Sequence, residues 1–228
     1  MIVRYVRTAV LVACGVAGCS DRAPDVPGTE AAADAAPAAS RESRPVVLFL
    51  GTSLTAGYGL PTPDLAFPAI IQAKLDSAGY RLRVVNAGVS GESSAGALAR
   101  IDWLMDQERV AVLVVETGAN DGLRGQDPDS VKARIQAIFD RARQEDPPPK
   151  LVLAGMEALP NLGRDYVRRF REIYPELARA NDAALVPFLL TDVAGVDSLN
   201  QGDGIHPTAA GQRVVAENVW RVIKDLLP

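Results

Sequence analysis

His206 is the single histidine of this 228-residue chain, and it sits in Asp203-Gly204-Ile205-His206-Pro207. A lone histidine usually has a structural role. Here an aspartate three residues earlier, a proline that fixes the following φ and a place at the entrance of the last helix make it a candidate acid–base group. A possible partner is Ser53, in Gly51-Thr52-Ser53-Leu54-Thr55-Ala56-Gly57-Tyr58-Gly59. The glycines of that loop permit a tight turn. Taken alone, a loop of this kind reads equally as a nucleophile turn, a phosphate cradle or an ordinary helix start. The chain order Ser, Asp, His is one in which catalytic triads occur.

Two further loops carry polar groups of interest. Asn86-Ala87-Gly88-Val89-Ser90-Gly91-Glu92 has glycines that let backbone N–H groups approach a ligand closely. Thr117-Gly118-Ala119-Asn120-Asp121-Gly122 offers an amide and a carboxylate, which either cap the next segment or point into a site. Neither loop is diagnostic by itself.

These loops are placed by the elements around them. Short apolar runs at Val46 to Leu50, Leu82 to Asn86, Val110 to Glu116 and Leu151 to Gly155, with a weaker one at Leu185 to Phe188, read as strands. Val110 to Val115 is apolar on both faces, as a buried parallel strand requires. Helical patterns lie between them at about Phe67 to Ser77, Ser93 to Met105, Ser130 to Glu145, Asp165 to Ala180 and Ala209 to Leu227. Thr208 is the expected N-cap of the last helix, whose stripe is Val214, Val215, Val219, Val222, Ile223 and Leu226. Strand–helix alternation predicts an α/β fold: a three-layer sandwich of about five parallel strands with right-handed crossovers. In such sheets ligands bind beyond the carboxyl ends of the strands. Each loop named above follows a strand, except that of His206, which enters the last helix.

The front of the chain reads differently. Arg4 and Arg7 precede a small apolar run from Thr8 to Ala17, the profile of an export signal. It is too short to span a bilayer as a stable helix. Val16-Ala17-Gly18-Cys19 resembles the bacterial lipobox, in which the cysteine is lipidated and becomes the mature N-terminus. Leu11-Val12-Ala13-Cys14 also fits, but it leaves about six apolar residues where ~7 to 15 are usual, so Cys19 is preferred. Residues 20–44 are rich in Ala, Pro, Asp and Ser and cannot bury enough apolar surface to order themselves. They read as a disordered tether with an end-to-end distance of roughly 25 to 30 Å. The lipoprotein resemblance implies a multiply acylated anchor, beyond the marginal hold of one chain. With Ser20 after the cysteine, it also implies the periplasmic face of the outer membrane, with a soluble periplasmic protein as the alternative.

Composition sets outer limits. With Lys+Arg 24 against Asp+Glu 28, the net charge of -4 argues against a nucleic-acid partner, which calls for a basic face. Residues 1–44 balance five basic against five acidic side chains, so the acidic excess lies downstream and hides no basic patch. Both cysteines, Cys14 and Cys19, fall in the first twenty residues. No disulfide framework or cysteine zinc site is available to residues 45–228.

Together the four blocks resemble the SGNH (GDSL-type) hydrolase family, across essentially all of residues 46–226. Within it, the chain is similar to the bacterial thioesterase I/lysophospholipase L1 and periplasmic arylesterase groups. The resemblance puts the nucleophile on Ser53, the glycine on Gly91 rather than Gly88, the amide on Asn120 and the acid–base pair on Asp203 and His206. One departure is plain: Thr52 stands where the name-giving motif has aspartate. Threonine retains a small oxygen acceptor, so the turn is expected to survive.

The chemistry follows from the residue types. An alcohol is a poor nucleophile at neutral pH, so Ser53 needs a base, and His206 is the one candidate. Asp203 would hold the ring and stabilise the imidazolium. Backbone N–H groups of Ser53 and Gly91 and the Asn120 amide would form an oxyanion hole. No metal or cofactor is required.

Asn120 to Gly125 is expected to be a mobile loop shaping an acyl groove, with Gly122 allowing motion and Leu123 offering apolar surface. Arg124 would meet a substrate phosphate or carboxylate or, more simply, solvent. Rival readings are a flavin or nucleotide carrier, which leaves Asp203 and His206 without a task, a non-catalytic ligand-binding lipoprotein, and an acetyl esterase acting on polysaccharide. The preferred substrates are aryl esters, lysophospholipids or acyl-thioesters, which make similar demands on one serine site. The expected partners are a small ester or lipid substrate and the membrane through Cys19, with the protein a monomer.

Overall fold

The computed structural model describes residues 44–228. The export signal, Cys14, Cys19 and all of the tether except Arg44 lie outside the described residues.

Strand β1 (Val46–Gly51) is buried along its whole length. It lies between β2 (Arg83–Gly88) and β3 (Val110–Val115), and β4 (Lys150–Ala154) and β5 (Ala184–Val186) continue the sheet beyond β3. The order is β2-β1-β3-β4-β5, and every pairing is parallel. Parallel neighbours need crossover connections, and these cover both faces with helices. That is why β1 and β3 are unbroken apolar runs rather than alternating ones.

Helices α2 (Phe67–Ser77) and α7 (Ala209–Ile223) pack together in one layer. The other layer holds α3 (Ser94–Gln107), α5 (Pro128–Ala142) and α6 (Arg164–Ala180), with α5 against both neighbours. Two short helices, α1 (Ser53–Ala56) and α4 (Ala119–Leu123), follow β1 and β3 directly. Phe49 of β1 meets Phe67 of α2 edge to face, with ring centroids 5.4 Å apart at 81°. Each such fully buried side chain contributes about 1.5–3 kcal/mol by leaving water.

Helix starts follow capping chemistry. Ser93, Asp127 and Thr208 each accept a backbone N–H from the first turn of α3, α5 and α7. Helix α2 has no side-chain cap of its own. Instead the buried Gln212 of α7 accepts from Phe67 N at 2.9 Å and donates to the Leu54 carbonyl at 3.3 Å. One amide therefore ties α7 to the start of α2 and to α1.

The expected elements are present with small shifts. Helix α5 begins at Pro128 rather than Ser130, because Asp127 caps it and a proline at the first position loses no hydrogen bond. The weak last strand ends at Val186, because Pro187 has no N–H to continue the ladder. The last helix ends at Ile223 and tightens into a 3-10 turn over Lys224–Leu226. At the β1/β3 junction the chain leaves the sheet in opposite lateral directions, which opens a crevice beyond the strand ends.

Candidate active site

Ser53 is the first residue of α1, two positions past the end of β1. Its hydroxyl lies 2.9 Å from Nε2 of His206, and Nδ1 of His206 lies 2.6 Å from Oδ2 of Asp203. The other oxygen of Asp203 accepts the backbone N–H groups of Ile205 and His206, at 3.0 Å each. Both carboxylate oxygens are thus committed. The His206 ring and these two N–H bonds hold the Asp203 carboxyl down at about 2, well below the usual carboxylate range. An anionic Asp203 keeps the ring N–H on Nδ1, which leaves the Nε2 lone pair for the Ser53 hydroxyl.

The loop bearing His206 is tied to the loop bearing Ser53. The Gln201 side-chain amide donates to the Tyr58 carbonyl at 2.7 Å and to the Pro207 carbonyl at 3.0 Å. Gln201 N also donates to the His206 carbonyl at 2.7 Å. The Tyr58 ring stands 4.7 Å from the imidazole, centroid to centroid.

The cleft that Ser53 and His206 line is also lined by Gly91 and Asn120. Gly91 has φ +79°, a left-handed conformation suited to glycine, while a Cβ there would meet nothing. Gly88 differs. A Cβ on Gly88 would fall 2.3 Å from the backbone nitrogen of Ala56, so this glycine serves close packing of β2 against α1. Asn120 Nδ2 donates one hydrogen to the Glu92 carbonyl at 3.0 Å, and the amide carries a second. Arg100 pairs with the Glu92 carboxylate through two 2.7 Å bonds and reaches the Ala87 and Gly51 carbonyls. A single guanidinium thereby links the ends of β1 and β2 to the turn beside Gly91.

Beneath Ser53 lies a carboxyl that sequence reasoning passed over as the end of a strand. Glu116 is buried, and it accepts Thr52 N at 2.7 Å, the Thr52 hydroxyl at 2.9 and 3.1 Å and the Thr55 hydroxyl at 2.9 Å. Burial pushes this carboxyl up to about 7, against the lowering effect of those hydrogen bonds. The available signal was a carboxylate closing an otherwise apolar strand. The turn that carries Ser53 forms with Thr52 in place, but the Thr52 hydroxyl acts as a donor to Glu116 rather than as an acceptor.

Residues 120–125 depart from expectation. Ala119–Leu123 is a short helix rather than a loop. Gly122 is buried, and a Cβ on it would sit 3.1 Å from the Phe170 ring, so the residue packs against α6 and does not line the cleft. Arg124 is not among the residues lining the cleft, and its guanidinium donates to the Gly91 carbonyl at 3.0 Å. Leu123 does line the cleft and is half exposed. Asp121 turns away from the cleft and accepts Ser94 N and the Ser94 hydroxyl at 2.7 and 2.8 Å, which anchors the start of α3.

The cleft has a volume of about 660 Å³. Its walls are mostly apolar, with Leu54, Met156, Ala158, Phe188 and Leu190 beneath a rim of Tyr58, Leu123, Leu159 and Ile205.

Residues 49–214 match the GDSL-like lipase/acylhydrolase family. The chain belongs to that family. It is 41% identical over 181 residues to the esterase TesA of Pseudomonas aeruginosa, covering 79% of this chain and 89% of that protein. It is 35% identical over 181 residues to the thioesterase 1/protease 1/lysophospholipase L1 of Escherichia coli K12, covering 79% and 84%. The crystal structure of TesA superposes with a TM-score of 0.76 over 80% of this chain and 99% of that one. This member of the family is a serine hydrolase acting on carboxylic esters, and its fold is the α/β sandwich of its relatives.

Proposed function

We propose that the protein cleaves esters with apolar acyl groups through an acyl-enzyme on Ser53. The observation that carries this reading is the unbroken chain from Asp203 through His206 to the Ser53 hydroxyl, opening into an apolar cleft. Ser53 Oγ attacks the acyl carbon while His206 Nε2 takes its proton. The carbonyl oxygen gains negative charge, which the N–H groups of Ser53 and Gly91 and the free hydrogen of Asn120 stabilise. The bond to the leaving group then breaks, and His206 returns the proton to that group. Water, activated by the same imidazole, attacks the acyl-enzyme and regenerates Ser53.

The apolar walls favour aryl esters and lipid-like esters over acetylated sugars, which need hydrogen-bonding walls. The names of the relatives, esterase and thioesterase/lysophospholipase, agree with an acyl chain as the recognised part. Export and lipidation at Cys19 would bring such a site next to lipid esters. Loss of detergent-phase partitioning in Cys19→Ser checks this address.

The deciding experiment follows hydrolysis of p-nitrophenyl esters of increasing acyl length by residues 20–228 and by the Ser53→Ala variant. Activity that depends on Ser53 and rises beyond the acetate supports the reading. Full activity in Ser53→Ala would overturn it, and activity on acetate alone would move the substrate toward small acetyl esters.

A further inference from the structure

The hydroxyl of Ser53 is bonded to His206, and the turn that carries Ser53 is tied to one buried side chain. Thr52 precedes it with an extended backbone, φ −104° and ψ −150°, and the helix begins at Ser53. Three donors from this turn, the N–H and hydroxyl of Thr52 and the hydroxyl of Thr55, all end on the Glu116 carboxyl. Gly51 makes this possible, because a Cβ there would lie 1.9 Å from the Thr55 hydroxyl and 2.9 Å from Glu116 Oε2. Three donors and no acceptor is the set an ionised carboxylate satisfies completely. A protonated carboxyl must instead donate, and it then displaces one of the three or forces a hydroxyl to reverse.

We propose that Glu116 is a positioning residue whose ionised form holds the Thr52–Thr55 turn, so that Ser53 is aligned for attack only when Glu116 has lost its proton. The proposal rests on the reading of Ser53 as nucleophile. Burial places the Glu116 carboxyl at about 7, so both forms are populated near neutrality.

The groups around it leave this titration to Glu116. On the α3 side Arg100 reaches the Gly51 carbonyl, but its charge is paired with Glu92. From α6, Tyr174 donates to the Thr117 carbonyl, and burial, with the nearby Glu116 charge second, raises its hydroxyl well above the usual range. Asp121 of α4 is paired with Arg134 of α5. From α7 the contact on α1 is the uncharged Gln212. His206 reaches the turn through Ser53.

The test is the pH dependence of kcat/KM on a short p-nitrophenyl ester for the wild type, Glu116→Gln and Thr52→Val, with folding checked by circular dichroism. In the wild type the Glu116 proton must be lost in addition to any other ionisation that turnover requires, so the acid limb is steeper than in a variant that lacks this group. Glu116→Gln, which cannot ionise, should fall with a shallower slope than the wild type and lose kcat by roughly ten- to a hundred-fold at pH 8, with KM little changed. Equal slopes in the two proteins, or an unchanged kcat, would overturn the proposal.

Should Glu116→Gln fail to fold, Thr52→Val decides. It removes one hydroxyl donor and keeps the backbone N–H, so the upper midpoint of the acid limb should move to higher pH. A midpoint that stays or moves down would overturn the proposal. Residual turnover in Ser53→Ala would instead count against the nucleophile reading, which keeps the two failures apart.

Discussion

Asn120 and Glu92 are joined by a 3.0 Å hydrogen bond from the side-chain amide of one to the backbone carbonyl of the other. The bond fixes the amide plane and leaves its second hydrogen for the cleft. In the proposed mechanism Asn120→Ala removes an oxyanion donor, a loss on the order of 3–4 kcal/mol, so kcat should fall by a hundred-fold or more. Asn120→Asp keeps the shape but sets a carboxylate against the Glu92 carbonyl, and it should be worse than alanine in both kcat and thermal midpoint. Steady-state kinetics and melting of the two variants check the order.

Arg124 gives a second contrast. It is exposed, and its guanidinium holds the Gly91 carbonyl rather than reaching the cleft. One such hydrogen bond is worth about 1 kcal/mol, so Arg124→Met should lower kcat by about five-fold. The loss should be the same for neutral and anionic esters. A rise in KM confined to anionic esters would show instead that Arg124 meets the substrate.

These two residues also mark where reading from sequence succeeds and where it stops. The central strands were legible because Val46–Gly51 and Val110–Val115 are covered on both faces, and burial on two sides leaves an unbroken apolar run. Ser53, Asn120 and His206 stood out because each follows a recognisable strand or enters a helix. Helix α4 was not legible, since Asn, Asp and Gly are turn formers by local preference. Long-range contacts override that preference, through Gly122 on Phe170 and Asp121 on Ser94. Glu116 was hidden for a similar reason: its partners Thr52 and Thr55 lie 64 and 61 residues away.

Leu123 tests the wall of the cleft. It is half exposed at the rim, where a longer acyl chain would cover it. Leu123→Asp places a charge on that path, so kcat/KM for an octanoyl ester should fall by about ten-fold or more, the scale of one lost apolar contact. The acetate, too short to reach the rim, should change little. Parallel losses for both esters would remove Leu123 from acyl recognition.

Glu116 also makes a prediction about stability, separate from alignment of the serine. Its carboxyl sits at about 7 in the folded protein against an ordinary value of 4.5. Between these two values the folded state holds a proton that the unfolded state has lost. The associated stability is fully present below 4.5 and disappears as pH rises through 7. Its size for a fully buried group is on the order of 3 kcal/mol. The ionised form that satisfies Thr52 and Thr55 is therefore the costlier one for the fold, as expected where function and stability pull apart. Urea unfolding at pH 5 and pH 8 should show the wild type losing more stability over that interval than Glu116→Gln, whose amide does not titrate. An equal loss in both proteins would place the pH dependence elsewhere in the chain.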